Sequence, residues 1–237
     1  MLILGLNKTT LLDYPGRVAA TLFTGGCNFR CPYCHNRDIV RKNQTIVPYD
    51  ETELFAFLTK RRRVLTGVCI TGGEPTLHPD LPDLIRRIRE LGYCVKLDTN
   101  GSNPHILEML IDDGLIDYCA MDIKNSPEKY GHTIGLDEQA ASAFDLSAIQ
   151  ASVKLLMTQQ SIPYEFRTTI VKELHDKEDV LAIAQWIAGA DAYFLQSYTD
   201  SEGVLCPGFH AHSAETLQSF AGLCKPFVPN TALRGVS

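Results

Sequence analysis

Short apolar stretches separated by helical ones at near-regular intervals constrain the fold of this chain more than any other feature. "RVAATLF" (17–23), "GVCIT" (67–71), "YCVKLDT" (93–99), "DYCAMDI" (117–123), "YEFRTTIV" (164–171) and "AYFLQS" (192–197) have the length and residue content of strands. Between them lie "YDETELFAFLTKRRR" (49–63), with a candidate cap at Asp50, and "DLPDLIRRIREL" (80–91). "PHILEMLIDDG" (104–114), "DLSAIQASVKLLMTQQ" (145–160) and "KEDVLAIAQWIAG" (177–189) follow, all apolar at helical spacing. Strands joined by helices of this length form repeated βα units and a parallel sheet. Six such units are too few for a closed eightfold barrel. The fold class read here is α/β: a partial (βα)6 TIM-like barrel with a parallel sheet. A short N-terminal extension (1–16) ends in the turn signal "DYPG", and a C-terminal lid or tail (201–237) contains a last helix around "SAETLQSFAGL". A flat doubly wound sheet is the alternative. One domain, 1–237, with its core from about 17 to 200, is expected, because no linker, low-complexity tract or repeat interrupts the pattern.

The net charge of −6 argues against general nucleic-acid binding, which relies on basic surfaces to release counterions. "KRRR" (Lys60 to Arg63) is a local exception. It reads either as a solvated helix C-terminus, where cations complement the dipole, or as a docking patch for an acidic protein. No uncharged apolar run approaches the roughly 18 residues that a membrane span needs. "MLILGLNKTT" lacks the basic region, long apolar core and cleavage site of a signal peptide, so a cytoplasmic location is expected. Five of the eight cysteines (Cys69, Cys94, Cys119, Cys206, Cys224) are scattered singly, three of them in strand-like runs where cysteine serves as a small hydrophobe. Cys27, Cys31 and Cys34 have ligand spacing instead, which points to a reducing compartment and a metal site.

Polar signals collect where the strands end. The cysteine loop follows the first strand, "TGGEP" (71–75) the second, "DTNG" (98–101) ends the third and "DIK" (122–124) the fourth. Arg167 lies in the fifth, and Gln196 to Tyr198 end the sixth. In parallel α/β folds the carboxyl-end loops form the ligand site. Each signal also has a plainer reading. "TGGEP" could be an ordinary strand-to-helix turn, and Asp98, Asn100 and Gly101 an Asx-type turn. Asp122 and Lys124 could form a surface pair, and Arg167 could serve a structural carboxylate as well as a ligand's. Together they offer carboxylates for an ammonium group and cations for a carboxylate, which suits a zwitterionic amino acid.

"GGCNFRCPYCHN" (25–36) sets Cys27, Cys31 and Cys34 in a C-x3-C-x2-C pattern with His35 directly after. Metal centres usually take four protein ligands. Either His35 closes the shell, giving a zinc site, or three thiolates hold a cluster of four irons and leave one iron open. Adjacent residues rarely aim both side chains at one metal, which favours the open cluster.

"CNFRCPYC" with "TGGEP" resembles the radical S-adenosylmethionine (SAM) superfamily. "DYPGRVAATLFTGGCNFRCPYCHNRD", "LDTNG" and "MDIK" resemble more closely its activating enzymes of glycyl-radical enzymes, over about Leu6 to Ser197. Within that group, the short length and "LGLNKTTLLDYPG" are most similar to the activators of anaerobic ribonucleoside-triphosphate reductases. The resemblance implies that Cys27, Cys31 and Cys34 hold a [4Fe–4S] cluster whose open iron chelates the cofactor S-adenosylmethionine. It implies that Tyr33 and His35 contact that cofactor, and that Gly72, Gly73 and Glu74 meet its ammonium end. Asp122 and Lys124 would bind the ribose and carboxylate region. Asp98 would join Asp122 in a cation or polar site, with Arg167, Asn100 and Gln196 as further cofactor contacts. Thr199 stands where some relatives carry a cofactor-reaching histidine.

The same resemblance implies reductive cleavage of S-adenosylmethionine, and a deoxyadenosyl radical that takes hydrogen from a glycine of a partner enzyme. That partner would be an anaerobic ribonucleotide reductase. No second cysteine-rich insertion separates Cys34 from Gly72, so an external flavodoxin- or ferredoxin-type electron donor is expected. Two other functions stay open: a different radical SAM enzyme, such as another activase or a 7-carboxy-7-deazaguanine synthase, and a zinc-stabilised interaction module. Cys206 and His210, in the C-terminal stretch, are read as lid or packing residues.

Overall fold

The computed structural model describes residues 1–40 and 46–236. Its strands are β1 (Ile3–Thr10), β2 (Ala19–Thr24), β3 (Gly67–Gly72), β4 (Cys94–Thr99), β5 (Tyr118–Asp122), β6 (Tyr164–Ile170), β7 (Tyr193–Ser197) and β8 (Thr231–Arg234). They form one eight-stranded sheet in chain order, with β1 antiparallel to β2 and every later pair parallel. Strand order in a doubly wound sheet reverses at a switch point. Here it never does, so the open barrel stands.

Six strands, β2 to β7, coincide with the six expected. The expected N-terminal extension and C-terminal tail each contribute one more, and these two strands form the edges of the sheet. Asn7, Lys8 and Thr9 of β1 are exposed, which removes the alternation that would mark a half-buried strand. β8 has four residues, too few to show a period.

Helices cover the outer face of the sheet. Leu81, Leu84, Ile85 and Ile88 of helix Leu81–Glu90 are buried, as are Ile149, Val153 and Leu156 of helix Ser147–Thr158, at the spacing of one helical stripe. Asp50 caps helix Glu51–Arg61 by accepting the N–H groups of Thr52 and Glu53. That helix ends at Arg61 and leads into the start of β3, so Lys60 to Arg63 sit at the end of the sheet opposite the cysteine loop. Among the described residues, no helix is long and apolar enough to cross a membrane.

The inner face is polar. Strand side chains alternate between faces, so Val95 and Leu97 meet the helices while Lys96 and Asp98 point inward. Tyr118 and Asp122 of β5 and Glu165 and Arg167 of β6 join them through hydrogen bonds. Cys69 belongs to this face as well: its Sγ lies 3.7 Å from Asp98 Oδ1 and 3.9 Å from Lys96 Nζ. It is fully buried as expected, with its thiol against polar partners, whereas Cys119 and Cys224 lie buried in the apolar core.

Candidate functional site

The loop after β2 is held by backbone hydrogen bonds on several sides. Gly25 N donates to Leu2 O at 2.9 Å, Arg30 N to Ile134 O at 2.8 Å, and Cys34 N to Cys31 O at 3.0 Å. A strap from the C-terminal region joins it, with Leu205 N donating to Cys34 O at 2.9 Å and Cys206 N to Pro32 O at 2.8 Å. These bonds place Cys27, Cys31 and Cys34 on the wall of one cavity at the rim, with Tyr33, His35, Gly72, Gly73, Asp98, Asn100, Asp122 and Lys124. All three cysteines are free thiols. Burial pushes the Cys31 thiol up to about 12 and raises Cys27 as well. Metal coordination would take both protons outright.

His35 does not complete the set. Its ring is exposed, lies against Tyr198 with centroids 5.4 Å apart, and places Nε2 2.5 Å from the Thr199 carbonyl oxygen. Among the described residues, no three His, Cys, Asp or Glu side chains converge on a single-ion site. Three cysteines on one cavity wall, with His35 turned to Thr199, are a donor set that fits a multi-iron cluster.

Behind the cavity runs a row of alternating charges. Lys96 Nζ contacts Asp98 Oδ1, and Arg167 Nη1 lies 3.0 Å from Asp98 Oδ2. Arg167 Nε lies 2.9 Å from Asp122 Oδ1, and Lys124 Nζ 3.0 Å from Asp122 Oδ2. Burial opposes ionisation of Asp122, yet Arg167 and Lys124 hold its carboxyl down to about 2. Asp98 is likewise held below the ordinary carboxylate range by Arg167 and Lys96, against the cost of burial. Burial would also depress Lys124, but Asp122, Tyr33 and Cys31 keep it well above the usual lysine range. Three cations share two carboxylates, and Lys124 is the cation on the cavity wall.

Asp98 and Asp122 do share one polar site, with the Arg167 guanidinium between them. The row corrects one expectation. Arg167 itself is absent from the cavity wall, and its anionic partners are structural. The plainer reading of that residue is the one realised.

Glu74 is corrected as well. It is fully buried off the cavity wall, and Oε1 accepts the Thr76 N–H at 3.1 Å and the hydroxyls of Thr76 and Thr99 at 2.6 and 2.8 Å. Oε2 accepts the Asn100 N–H at 2.6 Å. Burial raises this carboxyl above its usual range even though these bonds pull it down. Glu74 ties the end of β3 to the end of β4. The two glycines before it serve a related need. A Cβ on Gly73 would sit 1.9 Å from Gly26 O, and Gly72 has φ +111 with Thr24 N 2.4 Å from its would-be Cβ. Close approach of the β2 loop demands both glycines, quite apart from any ligand.

Gln196 and Thr199 are not on the cavity wall, and Thr169 of β6 is. The sequence did not reveal Asn36, whose Nδ2 donates to Gly72 O at 2.9 Å. Nor did it reveal His175, which is buried, accepts the Val171 N–H on Nδ1 at 3.1 Å and lies 2.8 Å from Lys124 O through Nε2. Burial keeps that imidazole neutral by lowering it. Because Nδ1 accepts, Nε2 carries the proton and donates to the Lys124 carbonyl. Only the position of Asn36 beside His35 offered a sequence signal. Exposed His210 lies 2.7 Å from Glu173 through Nδ1, and its backbone N–H donates to the same carboxylate, which anchors the strap.

The sequence pattern of the radical SAM superfamily matches residues 21–142, which include all three loop cysteines, "TGGEP" and "DTNG". The chain belongs to the radical SAM superfamily. This radical SAM chain is 29% identical over its whole length to a Methanocaldococcus jannaschii protein, covering 97% of it, that carries the provisional name glycyl-radical enzyme activating enzyme. It is also 26% identical to 7-carboxy-7-deazaguanine synthase of Methanopyrus kandleri, over 89% of this chain and 81% of that one. Among solved structures, SuiB of Streptococcus suis superposes with a TM-score of 0.66 at 14% identity over 91% of this chain. The chain spans 48% of the SuiB length, and the likeness is one of fold.

Proposed function

We propose that this radical SAM chain activates a glycyl-radical enzyme, with an anaerobic ribonucleoside-triphosphate reductase as the partner. Cys27, Cys31 and Cys34 would hold a [4Fe–4S] cluster, and the cavity beside them would hold S-adenosylmethionine. Cluster and cofactor, when bound, supply reductive cleavage of a carbon–sulfur bond and hence a carbon radical able to take a hydrogen atom.

The chain's own residues position and shield. Lys124, oriented through its backbone by His175 and through its side chain by Asp122, would receive the cofactor carboxylate. Tyr33 and His35 flank Cys34 on the cavity wall, where they would meet the nucleoside part. Gly72 and Gly73 bring backbone to the same wall for the ammonium group. Buried Phe29 and Tyr33 limit access of water to the reacting atoms. Reduction would come from an external flavodoxin- or ferredoxin-type protein.

One observation carries the choice of a protein substrate: the whole-length likeness to a relative named as a glycyl-radical enzyme activating enzyme. The inner face beneath the cavity is filled by Arg167 and its carboxylate partners, so the reacting group comes over the open rim, a route that a chain segment of another protein can take. Mixing the reduced, cluster-loaded chain with S-adenosylmethionine and the candidate reductase tests this. A glycyl-radical signal on the reductase is expected. Cofactor cleavage with no such signal would contradict it. The likeness to a deazaguanine synthase supports a second reading, which predicts small-molecule turnover without any partner.

A further inference from the structure

Two motifs far apart in the chain, "TGGEP" and "DTNG", meet a loop cysteine through a single side chain. Glu74 binds the Thr99 hydroxyl and the Asn100 N–H, so the buried carboxylate fixes the end of β4. Asn100 is buried, and its Oδ1 accepts the N–H of Ser102 at 2.9 Å. A backbone N–H only donates, so this bond decides which way the amide lies: oxygen towards Ser102, nitrogen towards the cysteine loop. There Nδ2 donates to Asn28 Oδ1 at 2.9 Å and reaches Cys27 Sγ at 3.9 Å. Asn28 is held in turn, donating its Nδ2 to Ser102 Oγ at 2.9 Å. The N–H of Phe29 donates to the same sulfur at 3.3 Å.

The geometry points to Asn100 as a positioning residue that sets the reduction potential of the centre held by Cys27. Its side-chain amide, aimed by Glu74 and Ser102, donates to Cys27 Sγ and stabilises the reduced form. The inference rests on the proposed [4Fe–4S] site. Adding an electron makes the ligand sulfurs more negative, and N–H donors at those sulfurs favour that state, which raises the potential. Burial works in the opposite direction by resisting added charge. A buried amide aimed at one ligand sulfur offsets part of that resistance and eases electron transfer from a weak external reductant. Glu74 then acts at a distance, through the backbone of Asn100.

The test is an anaerobic redox titration of the full, cluster-loaded chain, followed by electron paramagnetic resonance without S-adenosylmethionine. Asn100→Asp keeps the size and the acceptor for Ser102 but replaces the donor with a carboxylate oxygen. Asn100→Ala removes the amide altogether. At the potential where the wild type is half reduced, the ratio of reduced to oxidised cluster should fall about tenfold in N100D, equivalent to about 59 mV for one electron. N100A should show a smaller fall, of roughly threefold. If N100D does not retain a cluster, the ratio in N100A decides alone. Variants with wild-type iron and sulfide that titrate together with the wild type would overturn this inference and leave the cluster reading intact. A wild-type chain that holds no cluster would remove both.

Discussion

Arg167 Nε lies 2.9 Å from Asp122 Oδ1, and this pair decides what the inside of the sheet is free to bind. Asp122 ends β5 and Arg167 sits on neighbouring β6, where the two are register partners. Their inward side chains meet because adjacent parallel strands place register partners on the same face. The guanidinium also takes Asp98, so three partly buried groups depend on one another.

Replacing Arg167 with Met should therefore be costly. Two partly buried carboxylates would lose a shared cation. Breaking a fully buried pair typically costs about 3–5 kcal/mol, and the partial exposure of Asp122 brings the expected loss to roughly 2–3 kcal/mol. Denaturant unfolding should show a loss of that order. A loss below about 1 kcal/mol would mean that Lys96 and Lys124 suffice.

The pH dependence follows from the same row. The folded value for Asp122 is about 2, below its ordinary 3.8, so its ionised form stabilises the fold above about 4. That contribution, on the order of 2 kcal/mol, is lost as pH falls through the folded value. Asp122→Asn lacks it throughout. The stability gap between the wild type and D122N should narrow as pH drops from about 4 towards 2 in denaturant titrations, and a constant gap would contradict the assignment.

Much of the fold was legible in the sequence. Strands β2 to β7 and the main helices have period and length enough to be read directly. β1 escaped because its exposed half lacks alternation, and β8 because four residues carry no period. The site divides in the same way. Cys27, Cys31 and Cys34 advertise themselves by local spacing, and Asp122 with Lys124 by lying two residues apart. The partners of Arg167 do not, since Asp98 lies 69 positions away and only the strand order brings them together. Likewise a carboxylate at the end of β3 was visible, but its turn towards Thr99 and Asn100 and away from the cavity depends on β4.

Gly73→Ala should damage the site through packing alone. The added carbon would lie 1.9 Å from Gly26 O, and backbone on both sides leaves little room to relax. A loss of roughly 1–3 kcal/mol, together with weaker cluster retention, is expected. Gly222→Ala is the control. It lies in helix Ala214–Cys224, and an added carbon there meets nothing within 4 Å. That change should be neutral or stabilise by up to about 1 kcal/mol. Thermal unfolding of the two variants side by side checks the contrast.

On the proposed function, three cysteines of one loop hold a cluster with a corner left open for a ligand. Electron paramagnetic resonance of the anaerobic, reduced chain, before and after adding S-adenosylmethionine, tests it most directly, with iron and sulfide measured on the same samples. About four irons per chain are expected, held only while Cys27, Cys31 and Cys34 are all present, with a reduced-cluster spectrum that changes when the cofactor binds. A spectrum indifferent to the cofactor, or a chain carrying zinc and no sulfide, would contradict it.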